Sequence, residues 1–324
     1  MALLANQTQA QSPYDPAWTR NFRIGALAGM NIKGDFSLNG QFNVGGNAPG
    51  VYDDGYVLVD ATGNAGGYTT YWGYQDAAQY DAGTGALLMH SSTGFTANSS
   101  GEGQEDFALG FDLAYNWMFK RWERARLGME FGFGWLPISL KDDAATSATV
   151  DRLTYSFNTG GILMPTAPYN GGSSGIGPAI RDTATLVGSD TTSGLLTGAR
   201  VLNASLYNFR LGPAFFYDVS SRVGLTASLG PAVAIVDETY KFNETLTFTD
   251  GSSSRNRGSF SGTDVIYGGY LNLTATYHVE DGGDLYLGVQ YMPMSGSTLS
   301  EGGRRVDLDF SGQVYFSFGV NWWF

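Results

Sequence analysis

The chain has 324 residues, of which 15% are charged and 14% aromatic, and it contains 46 glycines and no cysteine. The absence of cysteine excludes disulfides, thiolate metal centres and cysteine nucleophiles. Eighteen basic residues against 30 acidic ones give a net charge of −12, which argues against a nucleic-acid-binding surface. No run of about 18 apolar residues is present, so the sequence offers no transmembrane helix.

Alternation of apolar and polar residues, which indicates a strand, begins at Phe22. We predict a first strand whose apolar face carries Phe22, Ile24, Ala26, Ala28, Met30 and Ile32. Residues 1–20 precede this pattern, and we expect them to form an extended lead-in because Pro13 and Pro16 restrict the backbone.

A long polar segment, residues 39–105, follows and contains no Lys or Arg. Within it, residues 55–74 predict a hairpin with a turn near Gly63 and Asn64. Its carboxylates Asp53, Asp54 and Asp60 are candidate Ca²⁺ ligands, since Ca²⁺ takes 6–8 oxygens. Their spacing does not match an EF-hand, and a solvated acidic loop is the alternative. No other cofactor is predicted.

His90 in the same segment stands beside Ser91 and Ser92. A histidine with a serine suggests hydrolytic chemistry, but a triad needs a base oriented by a third group in space. Neighbours in sequence do not establish that arrangement. We therefore expect no enzymatic reaction from this chain.

Residues 106–140 predict the clearest hairpin, with a short basic turn at residues 120–124. A second polar segment covers residues 141–198, and another hairpin follows at 199–242 with its turn at Ser220 and Ser221. After a segment at 243–261, further strands are predicted at 265–277 and 285–291. A connection at 298–303 leads to the final strand.

The final strand, residues 304–324, alternates throughout. Its apolar face is predicted to carry Val306, Leu308, Phe310, Val314, Phe316, Phe318, Val320, Trp322 and Phe324. A strand of this length exceeds the 9–11 residues that a tilted strand needs to cross a bilayer. The alternating end resembles that of bacterial outer-membrane β-barrel proteins. The resemblance implies that the barrel-assembly machinery reads Phe316, Phe318, Val320, Trp322 and Phe324 as an assembly signal.

We predict an all-β fold, a transmembrane antiparallel up-and-down β-barrel of about eight strands, in the outer membrane of a Gram-negative cell envelope. Residues 1–20 would be a periplasmic lead-in and 21–324 one barrel domain. Long loops on one side and short turns on the other predict external loops at 39–105, 141–198, 243–261 and 298–303.

The polar phase of the strands would face the lumen. An eight-stranded barrel is just wide enough to be filled by its own side chains. We expect Glu130 or Asp112 to pair with Arg210 or Arg23 and to plug the interior against ions, because an unpaired buried charge is costly. The alternative is that these side chains solvate a wet lumen.

In size and plan the chain resembles the OmpA, OmpX and OmpW types, and residues 53–74 resemble a stretch of uncharacterised bacterial outer-membrane proteins. The resemblance implies a structural, surface-display or adhesion role, with outer-membrane lipid and lipopolysaccharide as partners and a homo-oligomer as an open possibility. The alternative is a porin-like diffusion channel, if residues 55–74 and 145–165 add membrane strands. A lipid-modifying enzyme, based on His90, is the third hypothesis.

Overall fold

The computed structural model describes residues 19–43, 47–60, 64–171, 177–248, 253–279 and 283–324. The strands in these ranges are β1 (Arg20–Asn43), β2 (Val51–Tyr52), β3 (Gly55–Val57), β4 (Tyr68–Thr69), β5 (Trp72–Tyr74), β6 (Tyr80–Asp81), β7 (Ala86–Arg121), β8 (Ala125–Asp142), β9 (Thr146–Asn158), β10 (Tyr169–Asn170), β11 (Ile180–Arg181), β12 (Thr185–Asp218), β13 (Val223–Phe248), β14 (Ser253–Tyr277), β15 (Asp284–Tyr291), β16 (Ser297–Glu301), β17 (Arg304–Asp309) and β18 (Val314–Trp323). A 3-10 helix covers Ala77–Gln79. No described helix has the length and apolar character needed to cross a membrane.

Eight strands pair in a closed circuit. From β1 the antiparallel ladders run through β7, β8, β12, β13, β14, β15 and β18, and β18 pairs with β1 again. The described chain nevertheless has more strands than the eight expected, because segments predicted to be loops also form ladders. The lead-in, residues 1–20, lies almost wholly outside the described residues.

The outside of the circuit carries a continuous apolar surface, here called the outer band. Its exposed members are Phe22, Ile24 and Met30 on β1; Phe107, Leu109, Phe111, Trp117 and Phe119 on β7; Phe131 on β8; Phe209, Leu211, Phe215 and Tyr217 on β12; Leu225, Leu229, Val233 and Ile235 on β13; Val265, Tyr267, Leu271, Leu273 and Tyr277 on β14; Leu285, Leu287, Val289 and Tyr291 on β15; and Phe316, Phe318 and Trp322 on β18. The segment from Tyr207 to Tyr217, at ~3.4 Å per residue and a tilt of ~40°, rises about 26 Å. The outer band is therefore as tall as the lipid-facing belt of a membrane barrel.

The predicted lipid face of the final strand is wrong for the residues before 313. Val306, Leu308 and Phe310 are buried inside, while Phe316 and Phe318 are exposed. The cause is an irregularity between β17 and β18: Lys33 pairs with Asp309 and Met30 with Val314, so four residues oppose two. The apolar residues therefore alternate without a break in the sequence, although they face inward before residue 313 and outward after it.

Ile32 on β1 is also buried, although the first-strand pattern placed it outside with Met30. A hydrogen bond from the Ser311 backbone N–H to Asp309 Oδ1, at 2.8 Å, stabilises the turn that reverses the final strand's face.

Above the outer band the strands continue as an extension. There β9 pairs with both β7 and β12, and β17 pairs with the distal part of β1 and with β16. Large parts of the segments 39–105, 141–198, 243–261 and 298–303, which the sequence predicted to be loops, are thus strands. These segments are rich in Ser, Thr and Gly, and their backbone N–H and C=O groups form hydrogen bonds within these ladders.

A cap lies at the end of the extension. One small sheet has the order β10-β5-β3-β2, and another joins β4 to β11. Within the predicted hairpin at 55–74, β3 pairs with β5, and Gly63 lies outside the described residues. Apolar side chains join the cap to β7 and β9: Val57, Trp72, Tyr74, Leu87, Met89, Phe157 and Ile180. The strands at 55–74 and 145–165 belong to the cap and the extension and not to the circuit.

Candidate functional site

The predicted plug residues meet inside the circuit, one from each of four neighbouring strands. Arg23 Nη2 on β1 lies 3.3 Å from Glu130 Oε2 on β8 and 3.9 Å from Asp112 Oδ2 on β7. Arg210 Nη2 on β12 lies 2.7 Å from Asp112 Oδ1. All four side chains are buried. We call these four residues the lower network.

Neutral groups complete the lower network. The Ser228 hydroxyl donates to Glu130 Oε1 at 2.9 Å, and Arg210 Nη1 donates to Asn208 Oδ1 at 3.0 Å. Gly132 gives Arg210 its space, because a Cβ there would lie 2.6 Å from the guanidinium. Two arginines and two carboxylates therefore balance their charges at buried positions.

An apolar layer lies in the interior beyond the lower network. Its members include Leu27, Ala108, Leu136, Leu202, Ala232, Ile266, Leu308 and Tyr315. Apart from tyrosine hydroxyls, the side chains of this layer have no oxygen to replace the hydration shell of an ion.

A second charged cluster, the upper network, lies within the extension. Arg200 is 2.5 Å from Asp142 Oδ2 and 2.9 Å from Glu244 Oε1, and Arg304 is 2.6 Å from Glu244 Oε2. The Arg304 guanidinium also packs over the ring of Phe242, 3.9 Å from its centroid. Sequence reasoning missed this network, although extended alternation through residues 142, 200 and 244 would have placed the charges inward.

Glu238 on β13 is a buried carboxyl just beyond the outer band, 2% exposed. Its pKa is raised to about 7, chiefly by burial; the Ser297 hydroxyl opposes the rise, and the nearby carboxylates of Asp264 and Asp237 add to it. This acid, which the sequence did not single out, therefore titrates near neutral pH.

The predicted calcium ligands are divided between two places. Asp54 accepts from the His90 backbone N–H at 2.9 Å and contacts His90 Nδ1 at 2.6 Å, while Asp53 accepts from Ser92 N at 2.6 Å and Ser92 Oγ at 2.7 Å. Asp60 lines a separate hollow of the cap. No group of three or more His, Asp or Glu side chains is placed to hold a metal in the part of the chain that the structure describes.

His90 and Asp54 form a pair of the kind that orients an imidazole for proton transfer. The Ser92 hydroxyl donates to Asp53 and not to His90, so these contacts do not make a serine nucleophile with its base. Together with a backbone hydrogen bond from Asp53 N to His90 O at 2.8 Å, they join the cap to β7.

The predicted assembly signal lies on the outside of β18. Phe316, Phe318, Trp322 and Phe324 are exposed, and Val320 is half-buried. Phe324 exchanges two backbone hydrogen bonds with Arg20, at 2.8 and 3.0 Å. The end of the chain thus closes against the first strand.

The chain is therefore an all-β protein with an apolar exterior, an interior of buried charged and apolar side chains, and a cap. No protein-family model matches it, and no curated protein matches it. The outer-membrane protease OmpT from Escherichia coli is similar to it in structure, with 11% identity, coverage of 94% of this chain and 97% of that one, and a TM-score of 0.37.

Two further solved structures show weaker similarity. One is Ail, the attachment invasion locus protein of Yersinia pestis, solved with the heparin analogue sucrose octasulfate. Its match has 7% identity and a TM-score of 0.26, and it covers 94% of this chain and 99% of Ail. The other is a Pseudomonas aeruginosa FadL homologue. Its match has 11% identity and a TM-score of 0.21, and it covers 96% of this chain and 91% of the homologue. At these scores the comparisons assign no activity to this chain.

Proposed function

We propose that this protein is an outer-membrane β-barrel that anchors a rigid extracellular extension and cap, with a surface-display or adhesion role. The observation that carries the proposal is the buried interior: a charge-balanced lower network, an apolar layer and, within the extension, a charge-balanced upper network follow one another. Such an interior stabilises one rigid structure, and the exposed cap is the part that would contact other molecules.

The exterior supports the membrane location. A closed circuit satisfies its backbone groups internally, as hydrocarbon requires, and the outer band has the height of a bilayer core. Short connections at 122–124 and 219–222 lie at one end of the circuit, while the extension lies at the other. This asymmetry supports a cap outside the cell, with lipid and lipopolysaccharide proposed to surround the outer band.

Replacing Leu273 with arginine tests the location. Leu273 is 51% exposed in the middle of the outer band, and a charge facing lipid there costs roughly 2–4 kcal/mol. We expect Leu273→Arg to lower the folded fraction in lipid vesicles, measured by the gel shift between folded and heat-denatured protein. Ser259→Arg, exposed on the same strand in the extension, is the control and should fold normally. Equal folding of both variants would contradict a lipid-facing band.

Planar-bilayer conductance tests the sealed interior. We expect the folded, purified protein to insert without stable ohmic steps, because the apolar layer separates the two charged networks. A channel-forming protein in the same bilayers is the control. Large, stable steps from the folded chain would overturn the sealed interior and favour the diffusion channel.

We also propose that the barrel-assembly machinery reads the outward aromatic face of β18. The exposed rings of Phe316, Phe318, Trp322 and Phe324 form a continuous apolar edge near the end of the chain, and they support this role.

A further inference from the structure

The cap carries a hollow of about 210 Å³ with a mixed lining. Its wall contains a carboxylate, two tyrosine rings and two threonines: Asp60, Tyr68, Thr69, Thr70 and Tyr71. We call it the cap hollow. It lies apart from the pair of contacts by which Asp53 and Asp54 join the cap to β7.

The walls of the cap hollow are held rigidly. A tight turn at 65–68, closed by a hydrogen bond from Tyr68 N to Ala65 O at 3.2 Å, leads into β4. Its central residues, Gly66 and Gly67, have φ of 64° and 80°, which side-chain-bearing residues rarely adopt. β4 then pairs with β11 through Thr69 and Ile180.

The next residues are anchored from beneath. Tyr71 N donates to Thr69 Oγ1 at 3.0 Å, and Leu58 N donates to Tyr71 O at 2.9 Å. Trp72 is fully buried and its indole N–H donates to Pro178 O at 2.7 Å. The backbone that presents Tyr71 is therefore fixed before any ligand arrives, which lowers the entropic cost of binding.

The exposed groups match the chemistry of a sugar. Tyr71 is 48% exposed and Tyr68 36% exposed, and the Arg181 guanidinium packs over the Tyr68 ring at 4.1 Å. A saccharide has C–H faces that pack on aromatic rings and hydroxyls that donate to carboxylate and threonine oxygens. The net charge of −12 and the carboxylate of Asp60 disfavour an anionic glycan.

We propose that the cap hollow binds an uncharged saccharide unit of a surface glycan. The proposal rests on the displayed cap of the proposed function. Tyr71 supplies the main packing face, and Asp60 with the threonines accepts hydrogen bonds from the sugar hydroxyls.

The test uses the full folded chain in lipid nanodiscs on an array of immobilised uncharged, sialylated and sulfated glycans. We expect binding to at least one uncharged glycan. Tyr71→Ala should weaken that binding at least tenfold, Tyr71→Phe should retain it because the ring remains, and Asp60→Asn should weaken it. Leu163→Ala, which removes a side chain 95% exposed elsewhere on the cap, is the matched control and should bind as the parent does.

Three outcomes would overturn the inference: no uncharged glycan bound, binding to anionic glycans alone, or binding unchanged in Tyr71→Ala. The near-ultraviolet circular dichroism of each variant shows whether the cap is folded, and Asp60→Asn keeps the inference testable if Tyr71→Ala unfolds. Protease accessibility of the cap on intact cells separates the two proposals. An inaccessible cap refutes display, whereas an accessible folded cap that binds no uncharged glycan refutes the saccharide site alone.

Discussion

Replacing Arg210 with methionine is expected to destabilise the folded protein by about 3–5 kcal/mol, the usual cost of removing one partner from a buried ion pair. Arg210 pairs with Asp112 at 2.7 Å, and Arg23 alone cannot balance Asp112 and Glu130. Methionine preserves much of the volume, so the loss would report the unbalanced charge and not a cavity. The measurement is the urea midpoint of the protein in lipid vesicles, followed by tryptophan fluorescence.

Arg305→Met is the matched control. Arg305 also pairs with a carboxylate, Asp307 at 2.6 Å, but its side chain is 53% exposed, so water replaces the lost partner. We expect its urea midpoint to be unchanged. If both variants lose stability to a similar extent, the buried ion pairs of the lower network stabilise the protein no more than an exposed ion pair does.

A double-mutant cycle separates charge balance from packing. Asp112→Asn removes one negative charge, so Arg210→Met combined with Asp112→Asn restores neutrality among the four residues. We expect the double variant to be more stable than the sum of the two single losses predicts, because residues in one network couple. Strict additivity would mean that Arg210 stabilises the interior through packing alone.

The sequence was sufficient to predict the outer band and the meeting of Arg23, Asp112, Glu130 and Arg210. Both depend on period-two alternation, which is undisturbed along the lower halves of the long strands. Because the apolar face of each strand points outward, the charged residues on the other face point into the narrow interior, where opposite charges pair.

The same alternation misplaced Val306, Leu308 and Phe310. Their apolar parity continues into β18 without interruption, so nothing in the pattern reveals that four residues oppose two between β17 and β18. The turn is visible only as Asp309, Ser311 and Gly312, which also suit a strand in polar surroundings. Register between distant strands is a property of pairing, and single-strand patterns do not contain it.

The extension and the upper network were missed for a related reason. The Thr, Ser and Gly residues of β9 and β12 give only a weak alternation of apolar and polar residues. These segments form strands because β9 pairs with β7 on one side and with β12 on the other. Arg200, Glu244 and Asp142 are far apart in sequence, and only these ladders bring them together. The cap hollow likewise depends on the pairing of β4 with β11, which joins residues more than a hundred positions apart.

Glu238 should make the folded protein less stable as the pH rises from about 4.5 to 7. Its pKa in the folded protein is about 7 against 4.5 for an unperturbed glutamate, so between these values the folded state binds more protons than the unfolded state. Stability falls with pH wherever that holds, and it is constant for this group above pH 7 and below 4.5. The ionised carboxylate of Glu238 therefore opposes folding above pH 7.

Glu238→Gln removes the titrating group while keeping its size. We expect the variant to have a higher urea midpoint than the parent at pH 8 and a similar one at pH 4.5, because the amide carries no charge to desolvate beside Asp264 and Asp237. Other groups titrate in this range, so the informative quantity is the difference between variant and parent at each pH. Glu301→Gln, an exposed change on β16, is the control and should follow the parent throughout. If the difference between Glu238→Gln and the parent stays constant from pH 4.5 to 8, Glu238 is not the buried acid that opposes folding at high pH.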